Sequence, residues 1–153
     1  MRRHPAAFAI LVGGLIAGAI DISYAVGFSA FRGVAPMRIL QSVASGLLGS
    51  PAYQGGAGTA ALGFLLHFLL MLIIAAIFYV ASTRLRFLLA RPVLWGAIYG
   101  FLVYWVMNLV VLPLSAFPST VKFVPVVVIT SLIVHAFGIG VPIALASRAA
   151  LRE

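Results

Sequence analysis

The sequence predicts an all-α integral membrane protein: an antiparallel four-transmembrane-helix bundle with a short amphipathic outer helix between helices 1 and 2. Three observations predict it. The 153 residues are 64% hydrophobic and 8% charged, against about 25% charged in an ordinary soluble domain, so most of the surface has to face lipid. Four apolar runs each reach the ~20 residues that a helical crossing needs. Between the first two runs lies one stretch whose apolar and polar residues alternate with helical period, as a surface helix requires. The length accommodates one membrane domain, residues 1–153, and no second.

The elements follow in order. Met1–Pro5 (MRRHP) is a basic head, and the first span runs over about 6–30. Head and run together resemble a secretory leader, with Ala17-Gly18-Ala19 as small residues of the cleavage-site kind; the expectation is a retained span. Pro36 opens the amphipathic stretch, about 36–48 (PMRILQSVASGLL), in keeping with the preference of proline for a first helical turn. Met37, Leu40, Val43, Ala44 and Leu47 fall on one face, with Arg38, Gln41, Ser42 and Ser45 on the other. This helix lies in the interface or dips into the membrane. A glycine-rich connector, 49–58, leads to the second span, about 59–82, and a basic turn TRLRFLLAR leads to the third, about 92–114. A proline-punctuated turn precedes the fourth, about 126–146, and the tail SRAALRE closes the chain. Pro113 and Pro142 are expected to bend or end their helices.

The net charge of +8 superficially suggests a nucleic-acid binder. The basic residues, however, punctuate the apolar runs and form no clustered footprint for phosphate. They set topology instead. Arg2, Arg3, Arg84, Arg86, Arg91, Arg148 and Arg152 fall on one side and Arg32, Arg38 and Lys122 on the other. Seven against three places both termini in the cytoplasm. Trp95 and Trp105, one per end of the third span, suit interfacial belts. The chain has no cysteine, which excludes disulfides and thiolate chemistry.

Each span carries a strongly polar residue among small ones. The first has Gly14, Gly18, Asp21 and Ala25; the second Ala60, Gly63, His67, Met71 and Ala75; the third Gly96, Gly100, Tyr104 and Asn108; the fourth Ser131, His135, Gly138 and Pro142. Residues three or four apart share a helix face, and small residues there let helices approach closely. Asp21 is one of only two acids in the chain. A charge at the bilayer centre costs about 2.5–3.5 kcal/mol on insertion scales, so such a residue turns inward and finds partners. Counted from the span ends, Asp21, His67, Asn108 and His135 share the outer half of the membrane, with Tyr104 a turn deeper and Ser131 nearby. The expectation is a polar cluster of these residues, covered by the outer helix and within reach of Arg38.

Such a cluster has three uses. It can be hydrogen-bonded glue that fixes helix order. It can bind protons, an ion or a small ligand, since histidine titrates near neutral pH. Or His67 and His135 can be the axial ligands of a b-type haem, with Gly63 and Gly138 giving ring clearance. A metal site is not expected, because no single helix offers ligand spacing. Nor is an enzyme: G-x-S-x-G, H-E-x-x-H and phosphate-binding glycine loops are all missing.

The stretches GGLIAGAIDISYA, RILQSVASGLLG, LGFLLHF, RPVLWGAIYG, MNLVVLPLS and HAFGIGVPIALASR together resemble a small family of bacterial four-helix inner-membrane proteins of unknown function. A weaker similarity, mainly in layout and in Asn108 followed by Pro113, is to small inner-membrane proteins linked to acid resistance. The first resemblance implies a bacterial inner membrane, and the second leans towards a proton-linked role. A small bundle hides one carboxylate with difficulty, and glycine stripes can serve contacts between chains. A homo-oligomer or a place in a larger membrane complex is therefore expected, with the lipid bilayer as the other partner and no nucleic acid.

Overall fold

A computed structural model describes residues 4–152; the head residues Arg2 and Arg3 and the terminal Glu153 lie outside the described residues. Helix α1 covers Pro5–Phe31, α2 Pro36–Leu48, α3 Gly56–Arg84, the one-turn α4 Phe87–Ala90, α5 Pro92–Leu114 and α6 Pro125–Leu151. Helices α1, α3, α5 and α6 are each long and apolar enough to cross a membrane, which makes this a multi-pass membrane protein. The starts are set by proline, which stands in the first turn of α1, α2, α5 and α6, where its missing N–H costs nothing.

Two boundaries differ from expectation. The last helix continues through Ser147–Leu151, because the alanine-rich sequence after Pro142 holds no breaker. The connector contains a 3₁₀ turn, Ser50–Gln54, and α3 begins soon after it at Gly56. The Thr59 hydroxyl, which donates to the Ala52 carbonyl at 2.7 Å, ties that turn to the start of α3.

Pro113 stands one residue before the end of α5 at Leu114, whereas α6 continues past Pro142 to Leu151. Each proline is preceded by a π-helical turn, Met107–Val111 in α5 and Val134–Gly140 in α6. A proline ring collides with the carbonyl four residues back, and a widened turn is one way to absorb that collision. The turn in α6 is the one that carries His135.

The bundle is built on glycine. Gly14 and Gly18 lie against Leu72 and Phe68 of α3, and Gly13 lies against Ile143 and Ala146 of α6. Gly96 and Gly100 meet the backbone of α6 at Gly140 and His135, and Gly63 receives the Leu40 carbonyl of α2. The glycine stripes thus let the helices of this chain approach closely, as their spacing predicts. Helix α1 packs on α3 and α6, and α5 packs on α6. The proximity of Gly13 to Ala146 places the described N- and C-terminal ends at the same end of the bundle. The shared core holds Ala17, Met71, Ile74, Phe78, Ile139 and Ile143.

Helices α3 and α5, by contrast, meet chiefly towards the end that bears the termini. There Phe78 packs on Tyr99, and the Tyr99 phenol donates to the Ile74 carbonyl at 2.7 Å. Towards the other end they diverge and leave a cleft. A hydrogen bond between membrane helices contributes on average about 0.6 and at most about 1.7 kcal/mol. Tyr99→Phe is accordingly expected to lower stability by about 1 kcal/mol, read from reversible unfolding in mixed micelles.

Candidate functional site: a carboxylate between two histidines

The cleft between α3 and α5 has a volume of about 430 Å³, within the ~300–1,000 Å³ typical of ligand pockets. Its walls are apolar: Leu66, Leu70 and Met71 on one side, Val103, Met107 and Val111 on the other. Helix α2 roofs it with Ser42, Val43, Gly46 and Leu47. The roof is tied down on both sides. Gln41 Nε2 donates to the Gly56 carbonyl at 3.1 Å, and the Ala116 N–H after α5 donates to the Gly46 carbonyl at 2.9 Å.

Asp21, His67 and His135 stand together in the cleft wall, carried by α1, α3 and α6. His67 Nδ1 lies 4.0 Å from Asp21 Oδ2, and His135 Nδ1 lies 3.9 Å from Asp21 Oδ1. Each ring is oriented by a backbone carbonyl. His67 Nε2 is 3.0 Å from the Gly18 oxygen, and His135 Nδ1 is 2.9 Å from the Ser131 oxygen. A carbonyl only accepts, so His67 carries its hydrogen on Nε2 and His135 on Nδ1. The lone pair of a neutral His67 then faces the Asp21 carboxylate. Two acceptors confront each other there unless a proton sits on one of them.

The other predicted members fall differently. Tyr104 is buried with its ring edge-on to His135, centroids 5.3 Å apart at 86°, and so supports the histidine from α5. Asn108 is not drawn to the carboxylate: its Nδ2 donates to the Tyr104 carbonyl one turn back, at 2.8 Å. A short amide satisfied by its own helix needs no partner across the bundle. Arg38 does not reach the site either; its guanidinium stacks 4.1 Å above the Tyr53 ring. Ser131 contributes its backbone oxygen to His135 and its hydroxyl to Tyr24.

Tyr24 is a residue the sequence reading passed over. Its hydroxyl bonds Thr130 at 2.6 Å and Ser131 at 3.2 Å, joining α1 to α6 one turn beyond Asp21. Its signal was available, since it stands three residues after Asp21 on the same face. The geometry gives no support to His67 and His135 as axial haem ligands. Both rings gather on one carboxylate, His67 Nε2 is committed to Gly18, and Gly63 and Gly138 are filled by Leu40 and Ile20. Comparison with protein families, with curated proteins and with solved structures finds no match for this chain.

Proposed function

We propose that the chain is a non-enzymatic protein of the bacterial inner membrane, termini in the cytoplasm, that binds a small ligand in the α3–α5 cleft. The ligand has an apolar body and a hydrogen-bonding or cationic head, and the head is read by Asp21, His67 and His135. One observation carries this: two imidazoles converge on Asp21, the one acidic side chain among the described residues, in the wall of an apolar cleft. Separations of 3.9 and 4.0 Å exceed direct hydrogen-bond lengths, so a hydroxyl or ammonium lying between the three groups would gain partners that they do not give each other. The count of basic residues supports the orientation.

The facing lone pairs of His67 and Asp21 further favour one exchangeable proton in the triad. Ligand binding would then be linked to protonation.

Native mass spectrometry of the gently extracted protein tests the cleft. The expected result is a co-purifying apolar mass on the parent and its loss from Leu70→Trp, whose indole would fill the space between α3 and α5. An adduct that persists undiminished on Leu70→Trp places the ligand elsewhere and overturns the assignment.

A further inference from the structure

A second groove lies at the opposite end of the bundle, on the outside of the α5–α6 pair. Its volume is about 570 Å³, and Arg91 and Arg148 stand in its lining with Val93, Leu94, Leu145 and Phe137. Arg91 is the residue before α5 begins, and Arg148 lies in the last turn of α6. Both guanidiniums therefore sit where a crossing helix leaves the hydrocarbon. Phe137 precedes Arg148 by eleven residues, so the groove extends roughly 16 Å further into the membrane at ~1.5 Å per residue. Leu94, Leu145 and Phe137 are exposed along it. The groove thus pairs two cations at headgroup level with an apolar channel at acyl-chain level.

We infer that this groove is a binding site for an anionic phospholipid. The phosphate is held between Arg91 and Arg148, and one acyl chain lies along Leu94, Leu145 and Phe137. Guanidinium is suited to this because its planar fork bonds two phosphate oxygens at once. Charge complementarity favours an anionic over a zwitterionic lipid. The chain holds ten Lys and Arg against two acids. Of those acids Asp21 is enclosed within the bundle, beside His67 and His135. Basic pockets between membrane helices are a recognised form of headgroup site. This site shares no lining residue with the α3–α5 cleft, so it stands or falls independently of the function proposed above.

The test titrates phosphatidylglycerol and phosphatidylcholine of matched chains onto the delipidated protein in mixed micelles, with retained lipid read by native mass spectrometry. Phosphatidylglycerol is expected to bind more tightly than phosphatidylcholine. Joint substitution by Arg91→Gln and Arg148→Gln should weaken it on the order of tenfold. Arg84→Gln with Arg86→Gln, at the same end of the bundle but outside the groove, should leave it unchanged. Excess inorganic phosphate should not displace the lipid, because the acyl channel supplies part of the binding. Equal retention of the two lipids, displacement by free phosphate, or an equal loss in the Arg84/Arg86 variant each overturns the site. Should the Arg91/Arg148 variant fail to fold, a photoactivatable phosphatidylglycerol on the parent decides. Crosslinks to Val93–Ala97 or Leu145 are expected, and crosslinks confined to other helices refute the proposal.

Discussion

Gly140→Ala is expected to unfold this protein. A methyl at Gly140 would collide with the Gly96 carbonyl oxygen and stand 2.7 Å from the Gly100 nitrogen. Both obstacles are backbone, so no side-chain rotation relieves them. The reciprocal surface is equally tight: a Cβ at Gly96 would lie 2.7 Å from the Gly140 oxygen, and one at Gly100 would meet the His135 carbonyl. Helices α5 and α6 thus touch main chain to main chain over about one turn. In lipid no hydrophobic term favours helix association, so close packing supplies most of what holds the pair. Separating the two axes enough to admit a methyl removes that packing from Gly96 to Ala144 at once. The expected loss exceeds about 4 kcal/mol, the exceptional class for a single substitution. Gly27→Ala is the control. It lies in α1 with nothing within 4 Å of the added carbon, and should stabilise by about 0.5–1 kcal/mol through helix propensity. The two variants are compared by the fraction folded during denaturant titration in micelles. A Gly140→Ala protein within about 1 kcal/mol of the parent would show that the α5–α6 contact can open at little cost.

The same glycines mark how far the fold could be read from the chain. Polar interruptions and proline starts are local signals, so the spans and α2 were legible: Pro36, Pro92 and Pro125 each stand at a helix start. Neighbour choice is not local. Gly96-x-x-x-Gly100 announces a close approach without naming the partner, and only the structure shows that the partner is α6. The cleft follows from that choice. Because α5 spends its glycines on α6, it leans away from α3 above Tyr99, and the space beside His67 opens. Asp21, His67 and His135 were legible because polar groups in apolar runs must find one another. Asn108 carried the same signal and misled, since an asparagine can satisfy itself on its own helix, as it does at the Tyr104 carbonyl. Gly18 was invisible as a site residue because its contribution is a carbonyl oxygen, which every residue has.

Asp21→Asn and His67→Gln are expected to be strongly coupled, and the size of the coupling separates a charged site from simple glue. Asparagine keeps the shape of aspartate and loses the charge, so the bundle should still form. If Asp21 and His67 were neutral hydrogen-bonding partners, their interaction would fall near the average of about 0.6 kcal/mol for membrane helices and below about 1.7. A shared proton makes the contact charge-assisted. Removing one partner then leaves the other charge buried alone, which costs about 3–5 kcal/mol where nothing else compensates. Every titratable group near the carboxylate bears on this: His67 from α3, His135 from α6, Tyr104 behind His135 from α5, and Tyr24 on α1 itself. Because His135 also faces Asp21, Asp21→Asn should couple to His135→Gln in the same sense. Tyr24→Phe, whose hydroxyl serves Thr130 and reaches the triad only by way of Ser131, should couple more weakly than His135→Gln. A double-mutant cycle measured by reversible unfolding gives the answer directly. A coupling above about 2 kcal/mol between positions 21 and 67 supports a protonatable binding site. A value at or below about 0.6 kcal/mol would reduce the triad to helix-ordering hydrogen bonds, leaving the cleft an apolar space whose occupant Asp21 does not select.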